Sequence, residues 1–102
     1  MSSPRLNVRV LEPARRYIES LTESEGGVIN GNINALQGDK VMGVRTKQLH
    51  GPIRELIVGH HRVTYFKLDS TLYFVRGFRK KTNKTPKQEI EYAQKVYKQL
   101  ST

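Results

Sequence analysis

Apolar and polar positions change period several times along this chain. Leu6-Asn7-Val8-Arg9-Val10 alternates at period two, the mark of a half-buried strand. From Glu12-Pro13 onward, Ala14, Tyr17, Ile18 and Leu21 recur at helical spacing, with Pro13 in the first turn, where a missing N–H costs little. This predicts a helix ending near Gly26-Gly27. Val28, Ile29, Ile33 and Leu36 continue close to helical spacing as far as Gly38, a second and shorter helix, although Asn30-Gly31-Asn32 lowers its intrinsic helicity. Together the two make a helical hairpin able to cover one side of a sheet. Residues 41–51 show no regular pattern. Beyond Pro52 come three apolar runs, 53–58, 62–68 and 71–78, separated by Gly59-His60-His61 and Asp69-Ser70; they read as an antiparallel meander. After the polar stretch 79–85, Thr85-Pro86-Lys87-Gln88 reads as a capping box with Thr85 as N-cap, and Ile90, Ala93, Val96, Tyr97 and Leu100 supply the stripe of a last helix. The expected order is β-α-α-β-β-β-α, one α+β domain over residues 1–102 with helices packed on a largely antiparallel sheet.

Composition narrows the function. The 36% apolar content suits a lean globular core rather than disorder. No apolar run approaches the roughly 20 residues that span a bilayer, and the first residues lack a secretion signal, so the expected location is the cytoplasm, without a membrane partner. With no cysteine, and with His50, His60 and His61 lacking carboxylates at ligand spacing, no metal or other cofactor is expected.

Charge adds more, because it is unevenly placed. Residues 1–40 hold five basic side chains and five acidic ones; residues 41–102 hold thirteen against four, so the whole excess of +9 lies in the second part. That asymmetry fits a polyanion surface, since Lys and Arg that displace counterions from phosphate supply most non-specific nucleic-acid affinity. Strand alternation puts Arg54 with Leu56 and Val58, Arg62 with Thr64, Phe66 and Leu68, and Arg76 with Leu72, Phe74 and Phe78. Three neighbouring strands could thus converge on one basic rim, next to Arg79-Lys80-Lys81-Thr82-Asn83-Lys84, where four charges in six residues repel each other unless a polyanion is present. The simpler reading of Arg54 is an ion pair with Glu55 or Glu91.

Such a cluster can act on RNA without a metal. Cleavage by the substrate's own 2′-OH needs an in-line nucleophile, charge stabilisation on the phosphorane and a proton for the leaving oxygen. Fixed guanidinium and ammonium groups meet the first two needs, and a lysine crowded by other cations gives up its proton more readily and so can serve as base or acid. No P-loop, dinucleotide loop or G-x-S-x-G motif occurs, and the acidic residues in the charged half are isolated, which leaves a metal-free ribonuclease or a basic binding module.

Ile53-Arg54-Glu55-Leu56, Arg62-Val63-Thr64-Tyr65-Phe66, Phe74 through Pro86 with its K-K-T-x-K-T-P element, and Glu89-Ile90-Glu91-Tyr92-Ala93 together resemble the phage-derived HigB-like branch of the RelE/ParE toxin superfamily. The resemblance covers about residues 40–97. It implies a RelE-like fold and the toxin of a type II toxin–antitoxin pair, usually a ribosome-dependent mRNA endoribonuclease neutralised by a small antitoxin, often a helix-turn-helix protein. The ribosome and mRNA would be the other partners. By position, Arg62, Lys80, Lys81 and Arg54 match the family's catalytic places. Arg79, Lys84, Lys47, Arg76 and His61 are the expected RNA contacts, His61 standing where the family often has tyrosine. The superfamily also holds gyrase poisons on the same fold, which is the principal alternative target.

Overall fold

The computed structural model describes residues 5–38 and 42–102. The elements in order are β1 (Asn7–Val10), α1 (Glu12–Glu19), α2 (Glu23–Gln37), β2 (Arg45–His50), β3 (Ile53–Val58), β4 (His61–Leu68), β5 (Thr71–Arg79) and α3 (Lys87–Leu100). They build one five-stranded sheet in the order β1-β5-β4-β3-β2, antiparallel except for the parallel pair β1–β5. None of the described helices is long and apolar enough to cross a membrane.

The expected α+β architecture is present, with one more strand than the pattern predicts. Residues 45–50, within the stretch that shows no regular pattern, form β2; Val41 lies outside the described residues. Arg45-Thr46-Lys47-Gln48-Leu49-His50 is the outer strand beside β3, and Arg45, Lys47, Gln48 and His50 are all exposed. An edge strand with little to bury carries no period-two hydrophobic signal, and its charges deter unwanted pairing.

The first helix also ends earlier than expected. α1 stops at Glu19, and Thr22 caps α2, accepting from the Glu25 backbone N–H at 3.1 Å while its hydroxyl meets the Glu25 carboxylate at 3.0 Å. Gly26 and Gly27, read as the break, lie inside α2. Gly26 is buried where α2 crosses α1, and a Cβ there would sit 3.2 Å from the Ile18 carbonyl oxygen. The glycine permits a close helix approach instead of ending a helix.

Helices cover both faces of the sheet. On one, Ala14, Ile18, Ile29, Ile33 and Leu36 of the α1–α2 hairpin pack on Leu56, Val63, Tyr65, Leu72 and Phe74. On the other, Ala93, Val96 and Tyr97 of α3 pack on Ile53, Phe66, Val75 and Tyr73. Val75 is an extra residue in β5: Thr64 pairs with Arg76 while Tyr65 pairs with Phe74. This bulge corrects the simple alternation. Arg76 shares the α3 face with Phe78, whereas Leu72 and Phe74 belong to the hairpin core. The α3 core is built on Ile53, Phe66 and Val75, and on β3–β5 the same face continues through Ile57, Arg62 and Phe78, which belong to neither core.

Candidate active site

That continuation is the floor of a cavity of about 210 Å³, walled by β2 on one side and by residues 80–86 on the other. Cross-strand register explains the gathering. Arg45 faces Ile57, Ile57 faces Arg62, and Arg62 faces Phe78, while Lys47 faces Glu55 one pleat further along. Lys80, Lys81, Asn83, Lys84, Thr85 and Pro86 close the rim as the chain leaves β5. Arg45, Lys47, Arg62, Lys80, Lys81 and Lys84 thus surround a single carboxylate, Glu55.

Two of these side chains are buried. Arg62 is 8% exposed and Glu55 3%. The Arg62 guanidinium donates through one terminal nitrogen to the carbonyls of Gly59, at 2.7 Å, and His61, at 2.9 Å, and its Nε stands 3.9 Å from Glu55 Oε2. It is therefore also a clip on the β3–β4 turn. Glu55 Oε1 accepts from the Thr85 hydroxyl at 2.6 Å. This displaces the predicted capping box: α3 begins at Lys87 with Pro86 as N-cap and no side-chain cap bond, and Thr85 instead ties the loop after β5 to the floor of the cavity. By contrast, Lys47, Lys80, Lys81, Lys84 and Arg45 are exposed and form no ion pair among the described residues. They form a positive surface around a braced Arg–Glu–Thr set, an arrangement that can hold and stabilise a phosphate.

The structure brings together Arg62, Lys80, Lys81, Lys84 and Lys47, and places the other expected residues elsewhere. Arg54 is on the hairpin face, donating to Thr46 Oγ1 at 3.0 Å and to the Tyr65 hydroxyl at 3.4 Å, and it pairs with neither Glu55 nor Glu91. Arg76 joins β5 to α3, with Nε 3.2 Å from Glu89 Oε1 and its guanidinium carbon 5.0 Å from the centre of the Tyr92 ring. Arg79 and His61 lie on the hairpin side, where they line a second depression with Ser24, Glu25, Val28, Val58, Gly59 and His60. His61 is 6% exposed, with Nδ1 2.6 Å from the Tyr17 hydroxyl and Nε2 2.8 Å from Glu25 Oε2. The hydrogen bond from His61, then that from Thr22, holds the Glu25 carboxyl below the usual carboxylate range; burial pushes the Tyr17 phenol up, Arg79 opposing and Glu25 adding to the rise. Arg45, Glu55 and Thr85 had no place among the expected site residues. Glu55 was within reach of sequence reasoning, since it shares strand parity with Ile53 and Ile57, the face opposite to Arg54; Arg45 lay in a strand without a legible pattern.

Comparison with known proteins bears on this arrangement. Residues 16–98 match the family model described as phage derived protein Gp49-like (DUF891). The chain belongs to the Gp49-like family. The match starts within α1 and so extends well before the region on which the sequence resemblance rests. No curated protein sequence matches the chain. Several solved chains share the fold of this Gp49-like chain. The toxin–antitoxin complex RelBE2 from Mycobacterium tuberculosis aligns with a TM-score of 0.60 at 16% identity, covering 74% of this chain and 99% of that one. The archaeal RelE–RelB complex from Pyrococcus horikoshii OT3 aligns with a TM-score of 0.61 at 14% identity, covering 74% and 94%. The Gp49-like chain therefore has the RelE-like fold.

Proposed function

We propose that this Gp49-like chain is the toxin of a type II toxin–antitoxin system, acting as a metal-independent, ribosome-dependent mRNA endoribonuclease. The observation that carries this reading is the cavity in which five cations surround Arg62 and the buried Glu55. The two fold relatives named above each come from a toxin–antitoxin complex, which supports a cognate antitoxin as partner, and an acidic segment of such a partner would complement the basic rim.

In this mechanism the substrate's 2′-oxygen bonds to phosphorus and the bond from phosphorus to the 5′-oxygen breaks, leaving a 2′,3′-cyclic phosphate and a free 5′-hydroxyl. Arg62 and the Lys80–Lys81 pair hold the phosphate and stabilise the charge of the phosphorane. Glu55 is the carboxylate at hand to take the 2′-OH proton, and a rim ammonium supplies the proton that the leaving oxygen needs. Thr85 keeps Glu55 oriented.

Induction in cells with mapping of mRNA 5′ ends tests the proposal. Wild-type protein is expected to arrest translation with new ends within codons. Lys80→Ala combined with Lys81→Ala, and separately Glu55→Gln, should lower cleavage by about a hundredfold or more. Because Arg62 also clips the turn, Arg62→Lys is the informative change there: it keeps a charge and loses the planar fork. Arrest without mRNA cleavage, accompanied by a DNA-damage response and stalled supercoiling, would overturn the nuclease in favour of a gyrase target; no growth inhibition by the folded protein would leave a binding module.

A further inference from the structure

Eight aromatic residues, Phe66, Phe74, Phe78 and Tyr17, Tyr65, Tyr73, Tyr92 and Tyr97, occur in this chain. Among the described residues six of them have a ring partner, Tyr17 with His61, Tyr65 with Phe74, and Phe66 with Tyr73 and Tyr97, and a seventh, Tyr92, lies against the Arg76 guanidinium. Phe78 has none. It belongs to neither hydrophobic core, stays half-buried, and lines the cationic cavity directly across the strand pair from Arg62. Ile57, on the opposite side of Arg62, is likewise half-buried, outside both cores and in the cavity wall. The phosphate-holding guanidinium is thus flanked by two apolar side chains, one of them an unpaired ring.

We propose that Phe78, with Ile57 beside it, is the platform on which one unstacked base of a single-stranded RNA rests while its phosphate is held by Arg62 and the rim lysines. The inference rests on the proposed action on RNA and names the form of substrate that the cavity takes. Phosphate alone calls for cations and gains nothing from an open aromatic surface; a base on a charged backbone calls for both. Paired bases in a duplex keep their faces covered, whereas every unpaired base offers a π-face, so a ring in a basic groove selects single strands without reading sequence. A cavity of about 210 Å³ has room for a single base rather than a run of them, and the amide of Asn83 on its rim can meet a base edge.

The test uses the full chain and a short single-stranded oligoribonucleotide that carries one 2-aminopurine and 2′-O-methyl groups, so that it is bound but not cut, with an abasic ribose-phosphate oligomer of equal length as the comparison. Binding to wild-type protein and to Phe78→Tyr is expected to quench the 2-aminopurine fluorescence. Phe78→Leu, which keeps apolar bulk and whose fold is checked by its melting curve, is expected to leave the probe unquenched and to bind it about tenfold more weakly, with the abasic oligomer held as tightly as by wild type. Equal affinity and equal quenching in folded Phe78→Leu protein overturn the proposal, as does absence of quenching by wild type. If Phe78→Leu instead loses only its grip on an acidic peptide, the ring serves a protein partner and the base platform is likewise overturned. Wild type that cleaves mRNA in cells but does not quench the probe sinks the platform alone; wild type that quenches without cleavage sinks the nuclease alone.

Discussion

His61 and Arg62 are neighbours in sequence, and strand alternation sends them to opposite faces of the sheet. Arg62 enters the cavity and His61 turns to the helical hairpin, where it bridges Tyr17 of α1 and Glu25 of α2. A histidine at a turn beside a basic cluster invites a role on RNA; its burial between two helices makes it a strut instead. The Glu25 end of that strut has a measurable consequence. Its carboxyl titrates lower in the folded protein than in the unfolded chain, so its stabilising share is complete above the unfolded pKa and disappears as the pH falls through the folded one. Chemical denaturation of wild type and Glu25→Gln is expected to show wild type as the more stable near neutrality and the two converging from about pH 5 downward. Parallel curves over that range would mean that the Glu25–His61 contact does not contribute.

At the scale of elements, the hairpin is held to the sheet by a contact of the kind only glycine allows. The Tyr17 ring of α1 lies directly on Gly77 of β5, where an added Cβ would come 2.7 Å from Tyr17 Cγ and 2.9 Å from its Cβ. Side chain and helix would both have to move. Gly77→Ala is therefore expected to destabilise the protein by about 1–3 kcal/mol, the range for overpacking a filled interior, read as a lower urea midpoint. Phe78 and Arg62 lie on the far face from that clash, so the protein that remains folded is expected to keep its activity. A full-stability Gly77→Ala variant would show that α1 is free to shift on the sheet. The same element logic applies to α3: it covers the Ile53–Phe66–Val75 region of its face, and the Arg76–Glu89 and Arg76–Tyr92 contacts hold it there.

Across the whole molecule, the charge excess after residue 40 becomes one site because a sheet gathers sequence-distant positions. Arg45 and Lys47 come from an edge strand, Arg62 from a central one, and Lys80, Lys81 and Lys84 from the loop before the last helix. Arg62 holds the reacting phosphate, and the other five are exposed cations that can neutralise it and its neighbours along the backbone. Engagement of about four would make log affinity for single-stranded RNA fall with log salt at a slope of about −3. A slope near zero in a salt titration would separate the basic rim from the binding surface.

Much of this was legible in the chain by itself. Burial on one side of a strand or helix imprints its own period, so the hairpin helices, the three central strands and α3 can be read from alternation and helical spacing. The K-K-T-x-K-T-P segment likewise announces a basic loop. What escaped was whatever depends on a partner distant in sequence. β2 is a strand because β3 offers an edge, not because its own residues alternate. Gly26 sits inside a helix because α1 crosses there, and Thr85 leaves its capping position because Glu55 waits across the sheet. The bulge at Val75, invisible to simple alternation, sets Arg76 and Phe78 on the α3 face, and parity with no bulge places Arg54 on the other. Local sequence determined the helices, every strand but β2 and the basic character of the second part; tertiary pairing decided which cations face one cavity, because cross-strand register and the order of strands are properties of contacts between segments rather than of any segment alone.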